Sequence, residues 1–108
     1  MEMRLCPKSA AGMETVLLSG ECDLYTAPSF KNTIITRIRR GLRTLKIDFS
    51  EVSYLDSTGV GAIIQIMQTM RTVNGSVIFR GITGSPKKVL EMCNVISLMT
   101  IEDKGVAS

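Results

Sequence analysis

Four consecutive residues, Asp56-Ser57-Thr58-Gly59, carry the side chains best suited to chemistry in this 108-residue sequence. Behind them runs an almost uncharged helical stretch, with no Lys, Arg, Asp or Glu between Asp56 and Arg71. Aspartate and serine ahead of an apolar periodic segment are helix start signals, because their side-chain oxygens accept hydrogen bonds from the first backbone N–H groups. Ser57 is therefore expected at a strand-to-helix corner, with its hydroxyl at the positive end of a helix dipole. A hydroxyl in that position can be a plain cap, a nucleophile or a phosphate acceptor.

Catalysis by this serine finds no support in the sequence. There is no histidine, which removes Ser-His-Asp and Cys-His arrangements and every His-based metal site. Asp56 is adjacent, but an ordinary carboxylate, with a pKa of about 3.9, is a weak base for a hydroxyl. The residues form no G-x-S-x-G elbow, and Gly59 and Gly61 are not followed by the lysine of a phosphate-binding loop. Phosphate acceptance fits better. A phosphoryl group on Ser57 would bring roughly −1.5 to −2 charges and three strong acceptor oxygens, partly accommodated by helix N–H groups. With Asp56 beside it and Asp23 in a loop that could lie near, a partner docked on the apolar helix would meet repulsion and a desolvation cost. Ser57 as a plain N-cap is the alternative at this point.

The elements that must position this corner follow from pattern. Met3 to Pro7 and Glu14 to Glu21 read as a hairpin of strands around the turn Ser9-Ala10-Ala11-Gly12. Thr26 is the expected N-cap of a first helix with Pro28 in its first turn, and Ala27, Phe30, Ile34, Ile35 and Ile38 recur at helical spacing before Gly41 closes it. Leu42 to Phe49 reads as a central strand ending in a polar turn, and a second helix runs from Ser57 to about Arg71. On that helix Val60, Ile63, Ile64, Ile66, Met67 and Met70 are too many apolar residues for one narrow stripe. Such a helix is buried deeply or meets a partner. Val73-Asn74-Gly75 supplies a turn and Ser76 to Gly81 a strand. Ser85 and Pro86 then open a third helix in the N-cap and N1 manner, with Val89, Leu90, Met92 and Cys93 as its apolar face, and Leu98 to Ile101 reads as a last short strand. The order β-β-α-β-α-β-α-β implies a single α/β domain over residues 1–108, with a mixed sheet of about four to five strands and helices packed on it.

Composition narrows the function classes. A net charge of +3 and scattered aromatics do not make a nucleic-acid surface. The basic group Arg37, Arg39, Arg40 and Arg43 reads as a solvated helix end, with an anion site as the alternative. No stretch has the apolar core of a signal peptide or approaches the roughly 18 apolar residues of a membrane span. Cys6, Cys22 and Cys93 form no CxxC pair and read as small buried hydrophobes in a reduced, cytoplasmic protein.

At two blocks the chain resembles the STAS family, named for sulfate transporters and anti-sigma factor antagonists, and it is most similar to the free-standing bacterial antagonists. Gly20-Glu21-Cys22-Asp23-Leu24-Tyr25-Thr26-Ala27-Pro28 looks like the family's G-E-x-D-x-x-T-A loop. Asp48-Phe49-Ser50-Glu51-Val52 through Asp56-Ser57-Thr58-Gly59-Val60-Gly61 looks like its D-L-S-x-V-x-x-x-D-S-[ST]-G-x-G segment. The resemblance implies a binding module that is not an enzyme and carries no cofactor. Ser57 would be phosphorylated by an anti-sigma factor serine kinase that brings the ATP and Mg²⁺, and a PP2C-type phosphatase would reset it. Unphosphorylated, the antagonist would bind that kinase and release the sigma factor. Thr58 is a second, less favoured acceptor, because the matching position varies between Ser and Thr. Partner contacts are implied at Asp23, Thr26, Asp56, Ser57 and Thr58, and further along the helix at Gly59, Val60, Gly61 and Ile64. Two rival readings are a scaffold of a stress-signalling complex and a constitutive STAS subunit bound to an ATPase. In the second, Ser57 would be only a contact or a cap. Two departures stand out: the polar tail after Ile101 is short for the family's final helix, and Cys22 replaces a commonly aliphatic residue.

Overall fold

Leu45, Ile47 and Phe49 alternate inward along one strand and set the centre of a core that the rest of the chain encloses. The computed structural model describes residues 2–7 and 12–102. Within them the order is β1 (Glu2–Pro7), β2 (Met13–Cys22), α1 (Ala27–Arg39), β3 (Thr44–Leu55), α2 (Ser57–Thr72), β4 (Ser76–Arg80), α3 (Gly84–Met92) and β5 (Thr100–Ile101), with a 3-10 turn over Ile96–Leu98. This is the expected element order. The strands form one mixed sheet in the order β1-β2-β3-β4-β5. β1 runs antiparallel to β2, and β2, β3, β4 and β5 are mutually parallel. The expected turn at Ser9-Ala10-Ala11 and the tail from Asp103 lie outside the described residues.

The core has a simple composition. Val16 and Leu18 of β2 and Val77 and Phe79 of β4 join the β3 residues, with the Phe49 and Phe79 rings edge to face at 6.0 Å. Against them pack Ala27, Phe30, Ile34 and Ile38 of α1 and Val60, Ile63, Ile66 and Met70 of α2. Ile64 and Met67 are only partly buried, so burial accounts for most of the apolar surplus on α2. Its outer face consists of Ser57, Gly61, Gln65 and Gln68, all exposed. Gly41, at φ +115°, ends α1 as expected: the Leu42 N–H donates to the Arg37 carbonyl and the Gly41 N–H to that of Ile38.

Three boundaries differ from the sequence expectation. The last strand covers only Thr100–Ile101, because Leu98 closes the 3-10 turn over Ile96–Leu98. β3 does not stop at Phe49 in a polar turn but continues to Leu55, paired with β2 alone beyond Asp48. Between the pairs Leu17–Asp48 and Ser19–Glu51, and again between Gly20–Val52 and Glu21–Tyr54, β3 advances one residue more than β2. These are bulges, and each breaks the period-two pattern by which a strand is recognised. Asp48 Oδ1 accepts from the Ser50 N–H at 2.8 Å within the first of them. The third helix begins at Gly84 behind Thr83, so Ser85 lies inside it. Its inward residues are Pro86, Leu90 and, in part, Val89. Met92 and Cys93 are exposed, because the helix ends there and the chain reverses at Asn94 (φ +57°). Thus Cys22 is buried as expected, Cys93 is not, and the side chain of Cys6 lies outside those described.

Candidate functional site

The bulges on β3 bring the two motif loops level. Cys22 at the end of β2 pairs with Leu55 at the end of β3, and the Asp56 N–H donates to the Cys22 carbonyl at 3.2 Å. Asp23 and Asp56 therefore leave adjacent parallel strands at their C-terminal ends, side by side.

Asp56 is the N-cap of α2, in the extended backbone conformation that a cap requires. Its Oδ1 accepts from the Thr58 N–H at 2.9 Å and the Gly59 N–H at 3.0 Å, while its Oδ2 accepts from the Leu24 N–H at 3.2 Å. One carboxylate thus starts the helix and holds the neighbouring loop. Ser57 is the first helical residue, and its hydroxyl takes no part in the cap. This corrects the plain-cap alternative: the helix is capped by Asp56, and Ser57 is an exposed residue outside the cap. The same geometry changes the expected fate of a phosphate there. The Thr58 and Gly59 N–H groups already serve Asp56, so they would not draw a phosphoryl group into the helix start.

The loop between β2 and α1 is ordered by Asp23 and Thr26. Asp23 Oδ1 accepts from the Tyr25 N–H at 2.9 Å and the Thr26 N–H at 3.1 Å. The Thr26 hydroxyl accepts from the Asp23 N–H at 2.9 Å and donates to the Glu21 carbonyl at 2.8 Å. Thr26 precedes α1 but does not cap it. Its backbone is already helical, which turns the hydroxyl back into the loop. Burial alone would raise the Asp23 carboxyl pKa, but the hydrogen bonds from Tyr25 and Thr26 outweigh it and hold the group below its ordinary value. Cys22, directly beneath, has its thiol pushed up to about 11, first by burial and then by the negative charges of Asp56 and Asp23. It is a protonated packing residue.

Of the remaining expected contacts, Gly59 and Val60 are buried and present no side chain to a partner. Gly59 serves the fold instead: a Cβ there would lie 2.5 Å from Leu55 Cδ1 and 2.7 Å from the Cys22 carbonyl oxygen. Gly61 is exposed, with open space where a Cβ would go, and Ile64 is half-buried. Thr58, Gly61 and Gln65 line a shallow groove of about 330 Å³ between α1 and α2, opposite Ala27, Pro28 and Lys31. Asp23, Thr26, Asp56, Ser57 and Thr58 are brought together at one end of the sheet, and Gly61 continues that surface along α2.

The basic group at the other end of α1 offers less than its composition suggests. Arg37 is bound to Glu14 by two contacts, at 2.6 and 3.0 Å, and Arg43 donates to the carbonyls of Ile38 and Leu42, both at 2.9 Å. Two of the four arginines are thus committed to the fold. Among the described residues no three His, Cys, Asp or Glu side chains gather where a metal could bind, and no helix is long and apolar enough to cross a membrane.

Leu24 and Tyr25 did not stand out in the sequence. Both are strongly exposed beside Asp56; two large apolar residues within an otherwise polar loop were the available signal.

Comparison with known proteins agrees with this architecture. The family described as the STAS domain matches residues 11–105. The anti-sigma-B factor antagonist of Listeria monocytogenes is 28% identical over 89 residues, covering 82% of this chain and 77% of the relative. The solved structure of the anti-sigma factor antagonist SpoIIAA in its unphosphorylated form superposes with a TM-score of 0.75 at 23% identity, covering 94% of this chain and 88% of that one. The Bacillus cell fate determinant SpoIIAA in the phosphorylated form gives 0.74 at 21% identity, covering 98% and 96%. At these identities the structural likeness carries the fold.

Proposed function

The chain belongs to the STAS domain family, and from that membership we propose that it is an anti-sigma factor antagonist switched by phosphorylation of Ser57. The observation that carries the reading is the division of labour between Asp56 and Ser57. The carboxylate does the capping, so the neighbouring hydroxyl is exposed and unneeded by the helix. In the unphosphorylated state, the loop at Asp23 and Thr26 and the outer face of α2 at Thr58, Gly61 and the half-buried Ile64 bind an anti-sigma factor serine kinase, which then releases its sigma factor. The relative's name as an anti-sigma-B factor antagonist supports this choice of partner.

The switch step takes place in the kinase site. The Ser57 oxygen attacks the γ-phosphorus of ATP as the bond to the β–γ bridging oxygen breaks. ADP leaves, and the hydroxyl proton passes to a base of the kinase. ATP and Mg²⁺ are the kinase's. The product carries roughly −1.5 to −2 added charges directly beside Asp56. With the Thr58 and Gly59 N–H groups occupied by Asp56, that charge stays at the surface and repels the partner without a large change of shape. A PP2C-type phosphatase restores the hydroxyl by transferring the phosphoryl group to water. The chain itself is not an enzyme, acts in the cytoplasm and binds neither nucleic acid nor membrane.

The test is incubation of the purified chain with anti-sigma factor serine kinases from the cells that make it, with Mg²⁺ and ATP, followed by phosphosite mapping. Transfer to Ser57, absent in Ser57→Ala, is the expected result. Stable binding to an ATPase with no transfer would favour the constitutive-subunit reading.

A further inference from the structure

The β2–α1 loop presents two large apolar side chains to solvent directly beside the acceptor. Tyr25 is 85% exposed and Leu24 59%. Neither is needed by the core. Their backbone is nonetheless held: the Leu24 N–H is bound to Asp56 Oδ2, and the Tyr25 N–H to Asp23 Oδ1. A loop that merely connected two elements would have no need of two carboxylates to order an exposed apolar pair. Ordering in the free state removes part of the entropy cost of binding, and exposed aromatic residues on ordered backbone are the usual anchors of protein interfaces.

The charge around this pair is of one sign. Nearest the pair, Glu21, Asp23 and Asp56 lie at the C-terminal ends of β2 and β3, with Glu51 further back on β3, and the sequence has no Lys or Arg from Met13 to Pro28 or from Ile47 to Met70. Glu14, at the far end of β2, and Asp48 are paired with Arg37 and Arg80. This acidic end occurs in a chain of net charge +3. Glu21 and Glu51 are exposed on the strands that lead to the loops. Among the described residues, Lys31 lies across the groove from Thr58.

We infer that Leu24 and Tyr25 are the apolar anchor of the partner interface, entering a pocket of the kinase whose rim is basic. The inference rests on the function proposed above. It adds which side chains supply the contact energy, and it gives Asp56 a positioning role: through Leu24 it sets the anchor at a fixed place relative to Ser57. Because the pocket rim is basic, it attracts the acidic tip of the unmodified chain. Repulsion by phosphorylated Ser57 must therefore come from an acidic or desolvated part of the kinase site that faces the helix start rather than the loop. Of the other exposed large apolar residues, Tyr54, 47% exposed, lies on β3 opposite Glu21 at the same end of the sheet, whereas Met92 and Leu98 lie at α3 and the 3-10 turn, on elements that contribute nothing to the acceptor corner.

The experiment is titration calorimetry of the full chain against its purified kinase, held with Mg²⁺ and ADP so that no phosphate is transferred. Leu24→Ser and Tyr25→Ser are each expected to weaken binding by about tenfold or more with unchanged melting temperature. Met92→Ser, at an equally exposed residue (82%), serves as control and is expected to bind as the unaltered chain does. If the unaltered chain binds and both loop variants bind equally well, the anchor is overturned and the proposed function stands. If the unaltered chain binds none of the kinases, both are overturned. A loss shared by Met92→Ser would also overturn the anchor, because it would mark a nonspecific apolar effect.

Discussion

Asp56 Oδ2 accepts the Leu24 N–H at 3.2 Å across 32 residues of sequence, while its Oδ1 caps α2. The two roles can be separated. Asparagine caps helices about as well as aspartate, and loss of a cap costs roughly 1 kcal/mol. Asp56→Ala should therefore lower stability by about that amount, and Asp56→Asn by less than about half of it. With its amide oxygen on the helix, the substituted asparagine would offer only N–H groups to Leu24. Hydrogen exchange at the Leu24 amide should accelerate in both variants. Protection retained in Asp56→Asn would show that the loop is held by something else.

Two glycines of the same motif should respond oppositely to alanine. At Gly59 a methyl group would meet Leu55 and Cys22 at well under contact distance, and overpacking of this kind costs about 1–3 kcal/mol. At Gly61 nothing lies within 4 Å, and exchanging a helix-interior glycine for alanine gains up to about 1 kcal/mol. Denaturant titration should show the two shifts with opposite sign. If Gly61 faces the partner, Gly61→Ala should be the variant that gains stability and loses affinity.

Charge on the outer face of α2 should act on binding alone. Gln65 and Gln68 are exposed on a helix with no charged residue before Arg71. Gln65→Glu and Gln68→Glu should leave the melting temperature unchanged and weaken kinase binding. Ser57→Asp should weaken it by more than about 1.4 kcal/mol, a tenfold loss. Calorimetry finding equal affinity for Ser57→Asp would remove the electrostatic switch.

Cys22 predicts a dependence on alkaline pH. Its thiol stays protonated up to about pH 11 in the folded chain, against an ordinary value of 9.0. Below pH 9 neither state ionises and the thiol has no effect. Between these values the unfolded chain loses the proton first, so stability falls as pH rises. Cys22→Ala should flatten that part of the stability profile. In the native chain at neutral pH, iodoacetamide should modify the exposed Cys93 and spare Cys22, as read by peptide mass mapping.

Element order, the central strand and the corner at Ser57 were legible because periodicity and cap residues are local properties. The β3 bulges were not. They insert residues between Asp48 and Leu55, so the alternation that identifies a strand is lost where the strand continues. Thr26 and Ser57 were both plausible caps by residue type. Which oxygen reaches which N–H depends on backbone torsions, and these gave the role to Asp56 and turned Thr26 into the loop. The pairing of Asp56 with Leu24 is a contact between distant segments, beyond any local pattern.

The most direct measurement is intact mass and phosphosite mapping of the protein from its native cells, with and without phosphatase treatment. The proposed switch predicts a phosphatase-sensitive mass increase located at Ser57, at a fraction that changes with growth condition. A chain that stays unmodified under every condition would contradict it.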